Sequence, residues 1–344
     1  MIVVNGRFLR ARPTGMHRAA RALVSGLRGA GQPLEVWAPP GIGGPEVDRV
    51  FWGPPGWAGD HVWEQVALPA AAGRRLVLSL VNTAPILAPA SAVWVHDLAP
   101  LVGPHWFRRR MAAYGRLVLA GARRARVVLV PSNQVAAELA GARVAEARTV
   151  VVRTPVDERF RPAAPAAVEA LRGRLRLERP YVVHVGWPDP RKDAATAAAA
   201  HLEAERRHPH DLVLVGRSHP TFAPVSLPSA PSIRALEYFP DSDLPALLSG
   251  AAALLFPSVY EGFGLPPLEA LACGTPALVS DLPAMRESSW GLATYLPPGD
   301  VSRWAEAIAA VLRAPSPVPP LPAWTTADMA SQVLARLSDG RARQ

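Results

Sequence analysis

The stretch FPSVYEGFGLPPLEALACGTPALVSDLPAMRE, residues 256–287, decides the fold class of this chain. The apolar run AAALLF, residues 251–256, leads into it and has the composition of a buried parallel strand. A turn rich in glycine and proline follows, and we predict a helix from Leu268 to Ala272, ended by Gly274. Doubly wound α/β proteins build ligand sites in this way, because backbone N–H groups and a helix N-terminus then face an anion.

Apolar strand-like runs alternate with helical patterns along the rest of the chain, in two successive series. Such alternation is typical of parallel sheets that are covered by helices on both faces. We place the boundary between the two series at residues 154–165, and expect domains over 1–160 and 161–320. The predicted strands are near Ile2–Val4, Leu34–Trp37, Leu76–Ser79, Ala92–His96, Val127–Val130 and Thr149–Val152, then Tyr181–Val185, Asp211–Val215, Leu254–Phe256 and Ala277–Val279.

The segment EGFGLPPLEALACGTP, residues 261–276, places two glutamates eight residues apart around the glycine turn. It resembles the motif of the retaining nucleotide-sugar glycosyltransferases of family 4, in which seven residues separate two glutamates. The resemblance implies the type B glycosyltransferase fold, an α/β fold with two Rossmann-like domains that face each other across a cleft. It also implies that residues 321–344 hold a final helix that crosses back to the first domain. Without the resemblance, the two carboxylates would be surface groups at a helix start.

The resemblance assigns a different role to each glutamate. It implies that Glu261 contacts hydroxyls of the donor sugar and that Glu269 holds the ribose hydroxyls of the nucleotide. It further implies that the backbone amides of three residues approach the sugar and the diphosphate: Phe263, Gly264 and Leu265.

The single lysine among the 37 Lys and Arg residues is Lys192, in VVHVGWPDPRKD, residues 182–193. The family has a strand, a glycine and a basic pair at this place, so Arg191 and Lys192 are expected to neutralise the donor diphosphate. Fixed positive charge suits the reaction, because a nucleoside diphosphate leaves as an anion. Many relatives have a further Arg after the glycine, where this chain has Trp187, which puts that contact in doubt. The alternative for the basic pair is a solvated, charged turn.

The N-terminal half has weaker signals. Gly15 precedes an amphipathic helical pattern, and the resemblance places it against the donor diphosphate across the cleft. The segment VWVHDLAPL, residues 93–101, delivers His96 and Asp97 to the end of a strand. The resemblance places His96 near the donor sugar, and the alternative is a structural histidine. The segment HVWEQVALP, residues 61–69, resembles one in bacterial polysaccharide and lipopolysaccharide mannosyltransferases, which favours a mannose-type donor.

Charge is distributed unevenly. Residues 1–160 contain 20 Arg and 10 Asp or Glu, a net charge of +10, whereas residues 161–344 have a net charge of −1. By resemblance, the basic half binds the acceptor. We therefore expect an acceptor side, or a surface for an anionic membrane, that includes Asp97, Arg108, Arg109 and Arg110. The alternative is a solvated helix face. Nucleic acid is not expected, since no nucleic-acid-binding motif accompanies the charge.

Several kinds of site are not expected. One cysteine, Cys273, excludes an intramolecular disulfide framework and a Cys-rich metal site. Asp241 and Asp243 have nearly the spacing of a metal-binding pair but are typical of a capped helix start. No apolar run of about 20 residues occurs and no signal peptide is recognised, so we expect a cytoplasmic protein, either free or peripheral to the inner face of the membrane.

These features predict a retaining hexosyltransferase that uses no metal ion or other cofactor. The donor would be a GDP- or UDP-sugar, and the acceptor a glycan, glycolipid or small molecule. Two alternatives stay open at this point. A nucleotide-sugar 2-epimerase on the same fold would give isomerised donor without acceptor. A catalytically silent sugar-nucleotide-binding protein would bind donor without turnover.

Overall fold

The computed structural model describes residues 1–10, 14–54, 56–107, 111–216, 222–315 and 317–342. The chain divides into two compact units, each described by itself below. Unit 1 comprises Met1–Val102, Ala112–Pro155 and Trp324–Gln344, and unit 2 comprises Gly103–Met111 and Val156–Ala323. Three short segments thus differ from the sequence-based domains: Gly103–Met111, Val156–Phe160 and Leu321–Ala323 belong to unit 2.

Unit 1 contains a sheet of seven parallel strands. Side chains alternate between its two faces along each strand, so that Ile2 and Val4 pack in one buried cluster and Val3 in another. The strands are β1 (Ile2–Asn5), β2 (Leu34–Ala38), β3 (Arg49–Val50), β4 (Leu76–Ser79), β5 (Ser91–Trp94), β6 (Val127–Val130) and β7 (Thr149–Val151). Their order in the sheet is β3-β2-β1-β4-β5-β6-β7. Successive strands are therefore added outward on one side from β1 and on the other side from β4, and the point where the chain switches sides lies between these two strands.

Helices cover this sheet. They are α1 (Gly15–Gly29), α2 (Gly56–Val62), α3 (Leu68–Ala72), α4 (Ala99–Val102), α5 (Met111–Arg124), α6 (Asn133–Gly141) and α13 (Thr326–Ala342). A π-helical turn, Trp63–Ala67, joins α2 to α3. The last helix, α13, packs closely on α1, since a Cβ on Gly26 would lie 2.6 Å from the Thr326 carbonyl oxygen. Its Met329, Ala330 and Val333 are buried in the cluster that also contains Ile2 and Val4.

Unit 2 contains six parallel strands in the order β10-β9-β8-β11-β12-β13. Successive strands are added outward on one side from β8 and on the other side from β11, so the chain switches sides between these two strands. They are β8 (Tyr181–Val185), β9 (Asp211–Val215), β10 (Ile233–Leu236), β11 (Ala253–Phe256), β12 (Ala277–Ser280) and β13 (Thr294–Leu296). Its helices are α7 (Pro165–Leu175), α8 (Ala194–Glu205), α9 (Leu244–Ser249), α10 (Leu265–Ala272), α11 (Pro283–Ser288) and α12 (Val301–Arg313).

The sequence did not predict three strands, and all three are short edge strands: Arg49–Val50, Ile233–Leu236 and Thr294–Leu296. A strand at the edge of a sheet has one partner and more solvent, so it needs no continuous apolar run. In the part of the chain that the structure describes, none of the helices combines the length and apolar character that crossing a membrane requires.

Candidate functional site

Unit 2 has a topological switch point between its neighbouring strands β8 and β11. In open α/β sheets, ligands bind outside the carboxyl ends of the strands at such a point, because the connections diverge there and leave a crevice. The segment after β8 contains Arg191 and Lys192, and the segment after β11 contains Glu261. The sequence-predicted residues of this unit therefore lie where the topology favours a ligand.

Lys192 and Glu261 form an ion pair in which the Lys192 Nζ donates a hydrogen bond to Glu261 Oε1. The Ser258 hydroxyl donates to the same oxygen at 2.8 Å. The Lys192 ammonium also lies 4.6 Å from the centre of the Phe256 ring, and 16% of the lysine side chain and 9% of the glutamate side chain are exposed. Gly186 makes room for the lysine, because a Cβ there would approach Lys192 Cγ to 2.9 Å.

Arg191 is held by Asp189, two residues before it. Its Nε lies 3.1 Å from Asp189 Oδ1 and its Nη2 lies 2.7 Å from Asp189 Oδ2, which is a bidentate contact. The guanidinium carbon also lies 5.5 Å from the ring centre of Phe107 and 5.8 Å from that of Phe222. These contacts fix both the direction and the plane of the guanidinium group.

Trp106 and Phe107, which stand directly before Arg108 in the sequence, contact other aromatic residues. Phe107 contacts Phe222 with ring centres 5.7 Å apart, and Trp106 contacts Tyr260 at 5.8 Å. All four belong to unit 2. The predicted acceptor residues Arg108, Arg109 and Arg110 lie outside the described residues.

Helix α10 begins at Leu265, three residues before the predicted start. Its second and third residues are Pro266 and Pro267, which have no N–H, so the backbone donors at this helix start come from Gly264 and Leu265. Gly264 has φ +88°, and a Cβ there would lie 2.2 Å from Met285 Cε. Phe263, just before, is buried. The three residues predicted to face a donor thus form the turn that enters α10.

Glu269 lies on the second turn of α10 and is 3% exposed. It has an interaction partner, as buried carboxylates generally do. Trp187, which stands where many relatives have an arginine, packs against the apolar cluster that contains Val182 and Leu212.

His96 and Asp97 follow β5 in unit 1. The His96 backbone N–H donates to Asn82 Oδ1 at 2.6 Å, and its ring Nε2 donates to the Leu80 carbonyl at 2.8 Å. Burial lowers the pKa of His96 to about 4, although the Leu80 carbonyl and Asp97 act in the opposite direction. The imidazole is therefore neutral at pH 7 with its proton on Nε2.

Other unit 1 residues surround that loop. Gly15 opens α1. Burial lowers the pKa of His17, two residues later, to about 4, and the nearby His96 acts in the same direction. Asp97 accepts a hydrogen bond from the Ala99 N–H at 3.0 Å. The structure brings Gly15, His96 and Asp97 to the same edge of the first sheet.

Four residues at the unit 2 site were not predicted: Asp189, Ser258, Phe107 and Phe222. Asp189 stands in the quoted segment VVHVGWPDPRKD, two residues before Arg191, and Ser258 stands three residues before Glu261. Both are polar residues close in sequence to a predicted ligand-binding residue, and this proximity could have identified Asp189 and Ser258 from the sequence. The two aromatic residues are distant in sequence, and no local pattern reveals them.

Within the described ranges, no group of three or more His, Cys, Asp or Glu side chains is placed to hold a metal ion.

Residues 179–314 match the family model described as Glycosyl transferases group 1. They form a group 1 glycosyltransferase domain. This domain contains Arg191, Lys192, Glu261 and Glu269, the four charged residues that the sequence assigned to the donor.

Two curated relatives match parts of the chain. The O-antigen chain mannosyltransferase B of Escherichia coli is 31% identical over 162 residues, which are 45% of this chain and 42% of that protein. The D-inositol 3-phosphate glycosyltransferase of Mycobacterium avium (strain 104) is 36% identical over 189 residues, which are 50% of this chain and 42% of that protein. The chain thus spans less than half the length of these relatives.

The fold is shared with solved glycosyltransferase structures. The crystal structure of HepE from Anabaena in complex with UDP and glucose has a TM-score of 0.68 and 17% identity, and the match covers 98% of this chain and 94% of that chain. At this identity the likeness shows the fold alone. The predicted α/β class and the type B glycosyltransferase fold are confirmed, whereas the predicted roles of individual site residues stay predictions.

Proposed function

We propose that this protein is a retaining, metal-independent hexosyltransferase that transfers a hexose, of the mannose type, from a nucleoside diphosphate sugar to an acceptor hydroxyl. The observation that carries the proposal is the pairing of Lys192 with Glu261 at the switch point of the glycosyltransferase domain. An ammonium group suits a diphosphate, and a carboxylate suits sugar hydroxyls. The pair thus offers both kinds of recognition at adjacent atoms.

The lysine can serve both partners at once. An ammonium group has three N–H donors, so Lys192 can keep its bond to Glu261 and donate to a phosphate oxygen as well. Arg191, oriented by Asp189, and the backbone donors of Gly264 and Leu265 would add further positive potential. Charge that is fixed before the reaction lowers the barrier to departure of the nucleoside diphosphate.

We infer a front-face mechanism for the transfer. The acceptor hydroxyl oxygen bonds to the anomeric carbon as the bond from that carbon to the phosphate oxygen breaks, on the same face of the sugar. The departing phosphate oxygen takes the hydroxyl proton. In this scheme Glu261 orients the sugar, and no protein carboxylate forms a bond to it.

The mannose-type donor is favoured by the similarity to a protein named O-antigen chain mannosyltransferase B. The D-inositol 3-phosphate glycosyltransferase is similar over a comparable length, and HepE was solved with UDP and glucose, so UDP-sugars belong in any donor test.

A donor screen tests this proposal. GDP-mannose, UDP-glucose, UDP-N-acetylglucosamine and ADP-glucose are added to the full chain, and thermal stabilisation is measured; a ligand at 100 times its dissociation constant adds about 2.7 kcal/mol. The donor that binds is then incubated with a set of saccharide acceptors, and the anomeric configuration of the product is read by NMR. We expect retention of configuration.

Failure to bind or consume any of these donors would overturn the proposal. Isomerised donor formed without acceptor would indicate the epimerase instead, and tight binding without turnover would indicate the silent binding protein. Lys192→Ala is the control variant. If the donor binds at this site, it should no longer stabilise this variant against heat.

A further inference from the structure

Unit 1 has a cavity at the amino ends of its strands, on the edge of the sheet opposite to the loop that holds His96 and Asp97. Its volume is about 630 Å³, which is within the range of small-molecule sites. Four of its lining residues begin or directly precede adjacent strands: Met1 at β1, Leu76 at β4, Ala90 at β5 and Val127 at β6. The cavity thus runs below four neighbouring strands and lies within unit 1 alone.

The buried part of the cavity lining is apolar. Ala72 comes from the end of α3 and Leu337 from α13, and both are buried, as are Ala90 and Val127. Their side chains offer no hydrogen-bonding group, so they suit a hydrocarbon chain or ring better than a sugar. Among the residues that the structure describes, none that lines this cavity is an aspartate or a glutamate.

Three arginines line the same cavity: Arg74, Arg75 and Arg126. None of them has a carboxylate partner in the part of the chain that the structure describes. The exposed Arg74 makes no hydrogen bond to any described residue. Arg75 Nη1 lies 3.4 Å from the Ala71 carbonyl oxygen, and Arg126 Nη2 donates to the Pro89 carbonyl at 3.0 Å. A guanidinium group has five N–H donors, so these contacts leave donors for a ligand.

Other arginines of unit 1 are neutralised by acidic side chains. Five of them form ion pairs: Arg7 with Glu64, Arg10 with Asp60, Arg21 with Glu46, Arg28 with Asp48, and Arg49 with Glu35. The cavity differs because its three positive charges have no such compensation. Part of the +10 net charge of residues 1–160 is therefore concentrated around one apolar cavity.

Helix dipoles account for only part of this positive charge. Helix α3 ends at Ala72, which lines the cavity, and α5 ends two residues before Arg126. The C-terminus of a helix carries roughly half a negative charge, so two such ends offset about one of the three positive charges. The remainder favours a ligand group with about two negative charges.

We propose that this cavity binds a phosphate monoester that is attached to an apolar chain. The phosphate would lie against the three arginines and the chain against the buried apolar lining. A phosphate monoester carries about −1.5 to −2 charges at pH 7 and accepts bidentate hydrogen bonds from guanidinium groups. The inference does not depend on the proposed function, because the residues assigned to the donor lie in unit 2.

Calorimetry with hexyl phosphate, inorganic phosphate and hexanol tests the inference on the full chain. Each methylene group that leaves water strengthens binding about fourfold, so we expect hexyl phosphate to bind about tenfold or more tightly than inorganic phosphate. Hexanol should bind more weakly than hexyl phosphate by a similar factor, since it has no charge for the arginines. Heptanoate, with a single charge, should lie between them. Hexyl phosphate that binds no better than inorganic phosphate would overturn the inference, and equal binding of heptanoate would overturn the choice of phosphate.

Variants locate the binding site. Arg74→Gln and Arg126→Gln should each weaken binding of hexyl phosphate about threefold or more, the scale of one partly exposed charge contact. Arg313→Gln is the matched control, because it removes the same charge at the exposed end of α12 in unit 2. Lys192→Ala should leave hexyl phosphate binding unchanged, which separates this cavity from the proposed donor site. An equal loss in the control, or no loss in the two cavity variants, would contradict the inference.

Vesicles distinguish two sources of the ligand. Phosphatidylcholine vesicles with and without phosphatidic acid are mixed with the protein and floated on a density gradient. Retention that requires phosphatidic acid and is lost in Arg74→Gln and Arg126→Gln would assign the phosphate to a membrane lipid. Retention that these variants do not reduce would belong to another surface. In that case, or without retention, bound hexyl phosphate would represent a soluble ligand.

Discussion

Lys192 and Glu261 are 69 positions apart in sequence, yet their side chains form one ion pair in unit 2. From the sequence we predicted their roles separately, Lys192 for the diphosphate and Glu261 for the donor sugar. Because they are bonded, a change to one alters the electrostatic state of the other.

The first prediction follows from that bond. Glu261→Gln should slow transfer by about 100-fold, the scale of one preorganised electrostatic contact. It should leave binding of the bare nucleoside diphosphate equal or tighter, because Lys192 loses a competing anion. Lys192→Ala should weaken that binding. Calorimetry with the bare nucleoside diphosphate measures both, and wild-type affinity in the lysine variant would show that Lys192 does not hold the phosphates.

The second prediction concerns the planar anchoring of Arg191. Arg191→Lys keeps the charge but loses the bidentate bond to Asp189 and the contact with the two phenylalanine rings. We expect affinity for the nucleoside diphosphate to fall about tenfold, or about 1.4 kcal/mol. Arg179→Lys is the control, because that exposed arginine pairs with Glu205 at 3.4 Å. If the two variants bind equally well, the geometry of Arg191 is irrelevant to the donor.

The third prediction concerns Gly264. Gly264→Ala should destabilise the protein by about 1–3 kcal/mol, because φ of +88° is unfavourable for alanine and the new Cβ would collide with Met285. Gly299→Ala, at φ +73° with nothing within 4 Å of its Cβ, isolates the backbone part of the cost. Urea midpoints give the comparison. Equal losses in the two variants would show that Met285 moves aside freely.

The fourth prediction is a loss of stability in mild acid. Burial lowers the pKa of His184 to about 4, although the Leu255 carbonyl, to which Nδ1 donates at 3.1 Å, opposes the shift. An unfolded histidine has a pKa near 6.5, so below that pH the unfolded chain binds the proton first. Stability should therefore fall as the pH drops from about 6.5 to about 4, by about 2 kcal/mol at pH 5 from this residue.

The urea midpoint at pH 7, 6 and 5 measures that fall, and His184→Gln should reduce its steepness even if it lowers stability at pH 7. An identical pH dependence in wild type and variant would show that His184 does not contribute to the loss of stability in acid. His201 is also buried with its pKa lowered to about 4, so a residual slope is expected.

The fifth prediction is that transfer survives EDTA. In the proposed site, phosphate charge is met by Arg191, Lys192 and the backbone donors at the start of α10, which leaves no step that needs a cation. Initial rates with and without EDTA, followed by added Mg²⁺ or Mn²⁺, measure this. A rate that collapses in EDTA and returns with the metal would refute it.

Much of the fold could be predicted because its strands are buried on both sides. The boundaries of Leu76–Ser79, Val127–Val130, Tyr181–Val185 and Asp211–Val215 agree with the sequence-based ones, since a central parallel strand must be continuously apolar. Helix α10 begins earlier than predicted because Pro266 and Pro267 fit its first turn, where no N–H is needed.

The site was only partly predictable, and the reason is the distance in sequence between its members. A motif shows Glu261 and Lys192, but their bond depends on the adjacency of β8 and β11, which only the assembled sheet reveals. The same holds for the ion pair between Arg7, which follows β1, and Glu64, which lies in the π-helical turn before β4. Helix propensity and apolar periodicity contain no information on such pairs.

The packing of α13 on α1 sets an order of events during synthesis. Unit 2 is complete once Ala323 has been made, but the core of unit 1 still lacks Met329, Ala330 and Val333. Since translation proceeds from the N-terminus and domains fold as units, the unit that starts first is the one that finishes last. Until then, the part of α1 that packs on α13 remains uncovered.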